Sequence, residues 1–314
     1  MERTMALKSL ATLRRRWPAI ALPLACFLLT ESAVAEDIPR VTVATHRFGG
    51  VQLMTVGIDG SNPTQLTDDP EDATQPTWCP DGSKFAYVAG PVRNGKIKIA
   101  DADGKNARVL LEGAAPQRVP QWSPDGKQIA FAMADPDNRL YNVYLINPDG
   151  TDLKSLALAA PAAVDPGWSP DSKRIACVSH PAGTPGWIWV MNADGSERET
   201  VVTGNLNVAV YPTWTPDGKQ LTYGAPDDKK QIQLIQVNLD GTGSTTLTHG
   251  PKPHSFAAWS PDGQYLAYTS DPGGHSADLC IYDVLAGEHN TVLKGEVFQE
   301  LHRDSRPSWV PKKK

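Results

Sequence analysis

Short apolar runs alternate with tight polar turns along this chain. Gln128 to Met133 and Asn142 to Asn147 are two strand-length runs rich in β-branched, aromatic and small apolar residues. Val119 to Ser123 precedes them as a third extended run, and Thr151 to Leu156 follows as a fourth. The turn at Pro124-Asp125-Gly126 has a mechanism: Pro presets φ, Asp bonds back to the backbone, and Gly takes positive φ. Asp149-Gly150 between the third and fourth runs is a strong hairpin signal. Ala134 to Leu140 is a looser loop joining the second and third. The stretch predicts four antiparallel strands in roughly 45 residues.

That grammar repeats. Trp122-Ser123-Pro124-Asp125-Gly126 returns at Trp168 and Trp259, and with one changed residue at Trp78 and Trp214; a truncated Trp309-Val310-Pro311 ends the series. Trp78, Trp122, Trp168, Trp214, Trp259 and Trp309 are spaced 44, 46, 46, 45 and 50 residues apart. The Asp-Gly hairpin turn keeps the same phase at Asp59, Asp103, Asp149, Asp194 and Asp240, and has decayed to Ala286-Gly287 in the last copy. Two markers in one phase predict an all-β, six-bladed propeller of four-stranded antiparallel blades. A β-sandwich lacks so strict a period, and solenoid repeats are shorter.

The ends predict how the ring closes. Arg40 to His46 matches a second strand and Arg306 to Val310 a first strand. N- and C-terminal strands should therefore pair in one blade and remove the free edges of an open ring.

Composition alters this picture little. The 314 residues carry a net charge of -5, which excludes a general nucleic-acid binder with a basic face. Residues 1–35 read as a cleaved signal peptide, with Arg14 to Arg16, a short apolar run from Ala19 to Thr30, and Ala33-Val34-Ala35 as the cleavage site. That run is too short to span a bilayer, so no transmembrane anchor is expected after cleavage. Leu24-Ala25-Cys26 loosely fits a lipoprotein site, but Pro23 spoils the pattern. Residues 36–314 then form the propeller. Cys79, Cys177 and Cys280 are odd in number and read as buried small hydrophobes rather than a disulfide framework.

The Trp-Ser-Pro-Asp-Gly phrase, with strands such as Ile188 to Ala193 before Asp194-Gly195, resembles the repeat of the TolB-like propeller family over about residues 37–311. The same repeat occurs in periplasmic envelope proteins, in propeller domains of prolyl-oligopeptidase-like peptidases and in some polysaccharide lyases. The resemblance implies an isolated propeller here. The α/β domain that precedes the propeller in TolB is not expected, and Gly167-Trp168-Ser169-Pro170-Asp171 lacks the final Gly of a nucleophile elbow.

Both tight turns fall at one end of every blade, and their Asp residues read as turn formers. The variable loops fall at the other end, which is the expected working face. Gln75, Arg118, Asp165, Tyr211, His254, Phe256 and Arg306 are the expected channel-mouth residues, lying just before the Trp positions. Six of the seven His map to this end, and only His289 falls elsewhere. His46, His180, His254, His275 and His302 are candidate ligands for a divalent metal, with Asp165 or Asp304 as an acidic partner. The leading expectation is a periplasmic or secreted, monomeric, non-enzymatic scaffold without cofactor, binding an envelope protein or a peptidoglycan-associated partner. The alternative is a metal-dependent polysaccharide lyase or hydrolase using those His. A third reading is an assembly subunit that binds a small ligand in the channel.

Overall fold

A tight turn after each Trp folds the chain back on itself, and the result is a series of antiparallel meanders. The computed structural model describes residues 38–312 apart from 92–93, 114, 136–139, 157–162, 180–185, 204–210, 272–275 and 299–305. The expected signal peptide, residues 1–35, lies outside the described residues. Within them are 24 β-strands and no α-helix.

The Trp122 unit shows the plan. Its strands are Gln117–Trp122, Ile129–Ala134, Tyr141–Ile146 and Lys154–Ser155, hydrogen-bonded in sequence order. The second strand is buried throughout, because it is covered on both faces. The fourth is two exposed residues long, shorter than the apolar pattern of Thr151 to Leu156 suggests. A short, polar edge strand offers little to a foreign strand.

The turns work as their residues dictate. Ser123 Oγ and the Lys127 backbone N–H both donate to Asp125 Oδ1, at 2.7 and 3.1 Å. The same carboxylate geometry recurs at Asp171, Asp217 and Asp262. Gly82, Gly126, Gly218 and Gly263 follow with φ between 68° and 76°, and Ser172 accepts the same left-handed conformation at 61°. These Asp side chains are thus occupied as turn formers.

Four separate four-stranded sheets carry Trp78, Trp122, Trp168 and Trp214. A fifth sheet has eight strands. In it the His254–Trp259 meander joins the Arg40–Thr45 meander through one bridge, Thr45 opposite Val297. Ser308–Trp309 pairs antiparallel on Arg40–Thr45, with Val41 opposite Trp309 and Thr42 opposite Ser308.

Each Trp ring packs between its own unit and the one before. Trp168 lies with Ala130, Val143, Leu145 and Leu156 on one side and Ile175, Cys177 and Met191 on the other. Indole N–H groups add directional ties: Trp168 donates to Gln121 O, Trp214 to Gly167 O and Trp309 to Ala258 O, at 2.9–3.1 Å. Cys79, Cys177 and Cys280 are free and buried, and burial pushes the thiols of Cys79 and Cys177 up to about 11 and about 12.

Candidate functional site

The first strands of several units converge on one cavity, and one irregularity decides how they present their side chains. In the first strand of the Trp122 unit, Arg118 sits opposite Ala132 but Gln121 sits opposite Ala130. Three steps along one strand match two along its partner, which is a β-bulge. The same slip occurs between Thr74 and Thr77, Val164 and Gly167, and Ser255 and Ala258. A sequence signal accompanies it in most units. Pro stands two residues before the Trp at Pro76, Pro120, Pro166, Pro212 and Pro307, and cannot donate to the ladder. Ala257 holds the same place in the remaining unit and the bulge persists there.

The residue before that position takes a left-handed backbone. Gln75, Val119, Asp165, Tyr211 and Phe256 have φ of 55°, 52°, 56°, 40° and 54°. A non-glycine residue there costs about 1–3 kcal/mol and persists only where its surroundings impose it. Arg306 stands at the matching place before Pro307-Ser308-Trp309. Four of the seven expected channel residues therefore occupy one equivalent slot, Gln75, Asp165, Tyr211 and Phe256, and Arg306 holds the matching place in the sequence. All are buried except Tyr211, which is half-buried.

The other two are placed differently. The slot in the Trp122 unit is filled by Val119, not Arg118. The bulge turns Arg118 away, and its guanidinium lies 3.8 Å from the centre of the Tyr141 ring. The Val119 N–H freed by the bulge donates to Gln75 Oε1 at 2.7 Å, so neighbouring units are tied at the slot itself. His254 lies two residues before the Phe256 slot and is buried. Its Nδ1 is 2.8 Å from Gln233 Oε1, and its ring meets Tyr268 edge-on. Burial, reinforced by His289, Lys252 and His249, lowers its pKa to about 4, so it is neutral at physiological pH.

Of the other candidate ligands, His46 is exposed, with its ring edge-on to Phe298 at 4.7 Å. His180, His275, His302 and Asp304 lie outside the described residues. Among the described residues no three His, Cys, Asp or Glu side chains converge as metal ligands. His289, which the strand pattern sets apart from the loop end, meets the other edge of this cluster: its Nδ1 is 3.1 Å from the Tyr268 hydroxyl. Asp69, near the start of one loop connection, is also committed. Burial raises its pKa, but hydrogen bonds from Lys98 and Tyr87 outweigh this and hold the carboxyl below the ordinary carboxylate value.

A cavity of about 170 Å³ lies against Arg306. Pro76, Gln121 and Thr213 from three of the four-stranded sheets line it, with Ala258 and Ser308 from the eight-stranded sheet and Arg306 just before the last strand. Tyr211 and Phe256 sit side by side with ring centres 4.4 Å apart, and the Arg306 guanidinium lies 5.5 Å from the Tyr211 ring centre. The slot and the cavity together present an aromatic pair, several neutral polar groups, the buried Arg306 cation and, in another unit's slot, the buried Asp165 carboxyl. This arrangement suits recognition, and its chemistry is set by which residue each unit places in the slot.

Residues 86–314 match the family model described as the TolB beta propeller domain. A stretch of 84 residues is 33% identical to dipeptidyl-peptidase 5 of Porphyromonas endodontalis, covering 27% of this chain and 12% of that protein. A stretch of 83 residues is 31% identical to the Tol-Pal system protein TolB of Alcanivorax borkumensis, covering 26% of this chain and 19% of that protein. Less than a fifth of either relative's length is matched. The crystal structure of TolB from Acinetobacter baumannii superposes with a TM-score of 0.67 over 87% of this chain and 67% of that one, at 20% identity, a likeness of fold alone.

Proposed function

Because this chain belongs to the TolB β-propeller family, we propose that it is an exported, non-enzymatic binding scaffold that holds a protein partner of the cell envelope on its loop-bearing end. One observation carries the reading. Five units present side chains of unrelated chemistry at one repeated backbone slot, on a frame whose turns are uniform. A frame kept constant around a varied lining is suited to recognising a partner.

The proposal includes six blades closed into a ring. Its support is the pairing of Ser308–Trp309 with Arg40–Thr45, which supplies a first strand to the one meander that begins with a second. A periplasmic address is supported by the export-type pattern of residues 1–35 and by the relative named as a Tol-Pal system protein.

The test is capture from envelope extract by the purified mature chain, with two variant sets. One replaces Arg47, Glu71 and Lys252 at the loop end by Ala. The other replaces Asp103 and Asp194 at the turn end. The expected result is a discrete partner lost with the first set and kept with the second. Equal loss in both sets, or no specific capture by the parent protein, would refute the proposal.

A further inference from the structure

We propose that the channel cavity is a carboxylate-binding site built on Arg306, distinct from whatever docks on the loop end. The Arg306 side chain is 6% exposed and lines the cavity, and its Nε and Nη2 are buried and donate to no acceptor among the described residues. A guanidinium stays charged at any physiological pH. Burying it with unmade hydrogen bonds is costly, and native interiors rarely leave such groups unpaired. The Tyr211 ring at 5.5 Å offsets part of that cost through its π-face, but it accepts nothing from the two N–H groups.

The geometry selects the ligand class. Nε–H and the adjacent Nη2–H lie on one edge of the guanidinium, spaced to meet both oxygens of a carboxylate. The other residues lining the cavity are neutral, so one cation matches one negative charge. A phosphate dianion would call for a second cation. Gln121, Thr213 and Ser308 supply further polar contacts, and Trp259, Trp309 and Pro307 offer an apolar wall to the carbon bearing the carboxylate. About 170 Å³ is smaller than sites for drug-sized ligands, which run from roughly 300 Å³, and it suits a small acid or one acidic group of a longer chain.

The experiment is ligand titration of the mature chain by calorimetry and by thermal shift. The probes are benzoate, glutarate, a short peptide with a free C-terminus, their neutral amides, and inorganic phosphate. At least one carboxylate should bind at least about 10-fold more tightly than its amide. Arg306→Gln should weaken binding at least about 10-fold, while Arg306→Lys keeps part of it. Ala258→Leu, which fills the cavity and leaves the charge in place, should also abolish binding and covers the case in which Arg306→Gln fails to fold. Binding of benzoate or glutarate identifies a free acid as the ligand source, and binding of the peptide alone identifies a chain-borne carboxylate; either supports the site. The proposal is overturned if no carboxylate binds at about 10 mM, if phosphate alone binds, or if folded Arg306→Gln or Ala258→Leu binds as the parent does.

Discussion

Replacing Trp214 by Ala tests whether the repeated Trp is the element that joins one unit to the next. The ring is 4% exposed and packs with Val164, Val178, Ile188 and Val190 of the preceding unit and with Leu221 and Tyr223 of its own. Truncating such a ring costs about 3–5 kcal/mol. Its Nε1 donates to Gly167 O at 3.0 Å, and a buried carbonyl left without a donor costs about 1–3 kcal/mol. Arg174 lies over the ring at 4.8 Å and contributes about 0.5–1 kcal/mol more. These effects share one site and do not simply add, so the expected loss is about 5 kcal/mol. At roughly 2 °C per kcal/mol for a chain of this size, the melting temperature should fall by about 10 °C. Trp214→Phe keeps most of the ring and drops the N–H, and should lose about 1–3 kcal/mol. The assay is denaturant unfolding followed by far-ultraviolet circular dichroism, with Trp187→Ala as a half-buried control. A Trp214→Ala protein within about 1 kcal/mol of the parent, or a Phe variant as damaged as the Ala variant, would refute the reasoning.

Three further outcomes follow from the same structure. His254 is neutral in the fold down to about pH 4, whereas the unfolded chain protonates it near 6.5, so its contribution to stability falls as pH drops through that window. The lowering is worth about 3 kcal/mol at ~1.4 kcal/mol per pH unit, and His254→Gln should flatten the dependence of the urea midpoint on pH between about 4 and 6.5. The turn carboxylates act in a lower window: hydrogen bonds from Ser83 hold Asp81 at about 2, so its contribution is complete above the unfolded value near 4 and is lost as pH falls towards 2, a loss that Asp81→Asn should reduce in an acid-unfolding titration. Deleting residues 306–314 removes the strand paired on Arg40–Thr45 and should yield aggregates by size-exclusion chromatography with light scattering; a soluble monomer of unchanged melting temperature would contradict closure.

The frame was legible in the sequence because its signals are local. Pro-Asp-Gly and Asp-Gly each define a turn within a few residues, and their fixed phase against Trp orders the strands. The slot was legible to within one residue. Counting back from the Trp finds Gln75, Asp165, Tyr211, Phe256 and Arg306, but a bulge breaks the alternation on which the choice between Arg118 and Val119 depends. The recurring Pro was the available clue. His254 misled for a different reason. A His near a loop suggests a ligand, yet its burial depends on Gln233 and Tyr268, which come from other strands and are invisible to any local pattern.

The left-handed slot has a consequence for how such a protein acquires a new specificity. Gln, Val, Asp, Tyr and Phe all accept the same backbone there, although none is favoured in it. The conformation is imposed by the bulge and not chosen by the side chain. The lining therefore behaves as a set of sockets into which different chemistries can be fitted without redrawing the scaffold. Exchange of a single side chain would alter the chemistry presented at the slot while the turns, the Trp ties and the paired ends stay as they are.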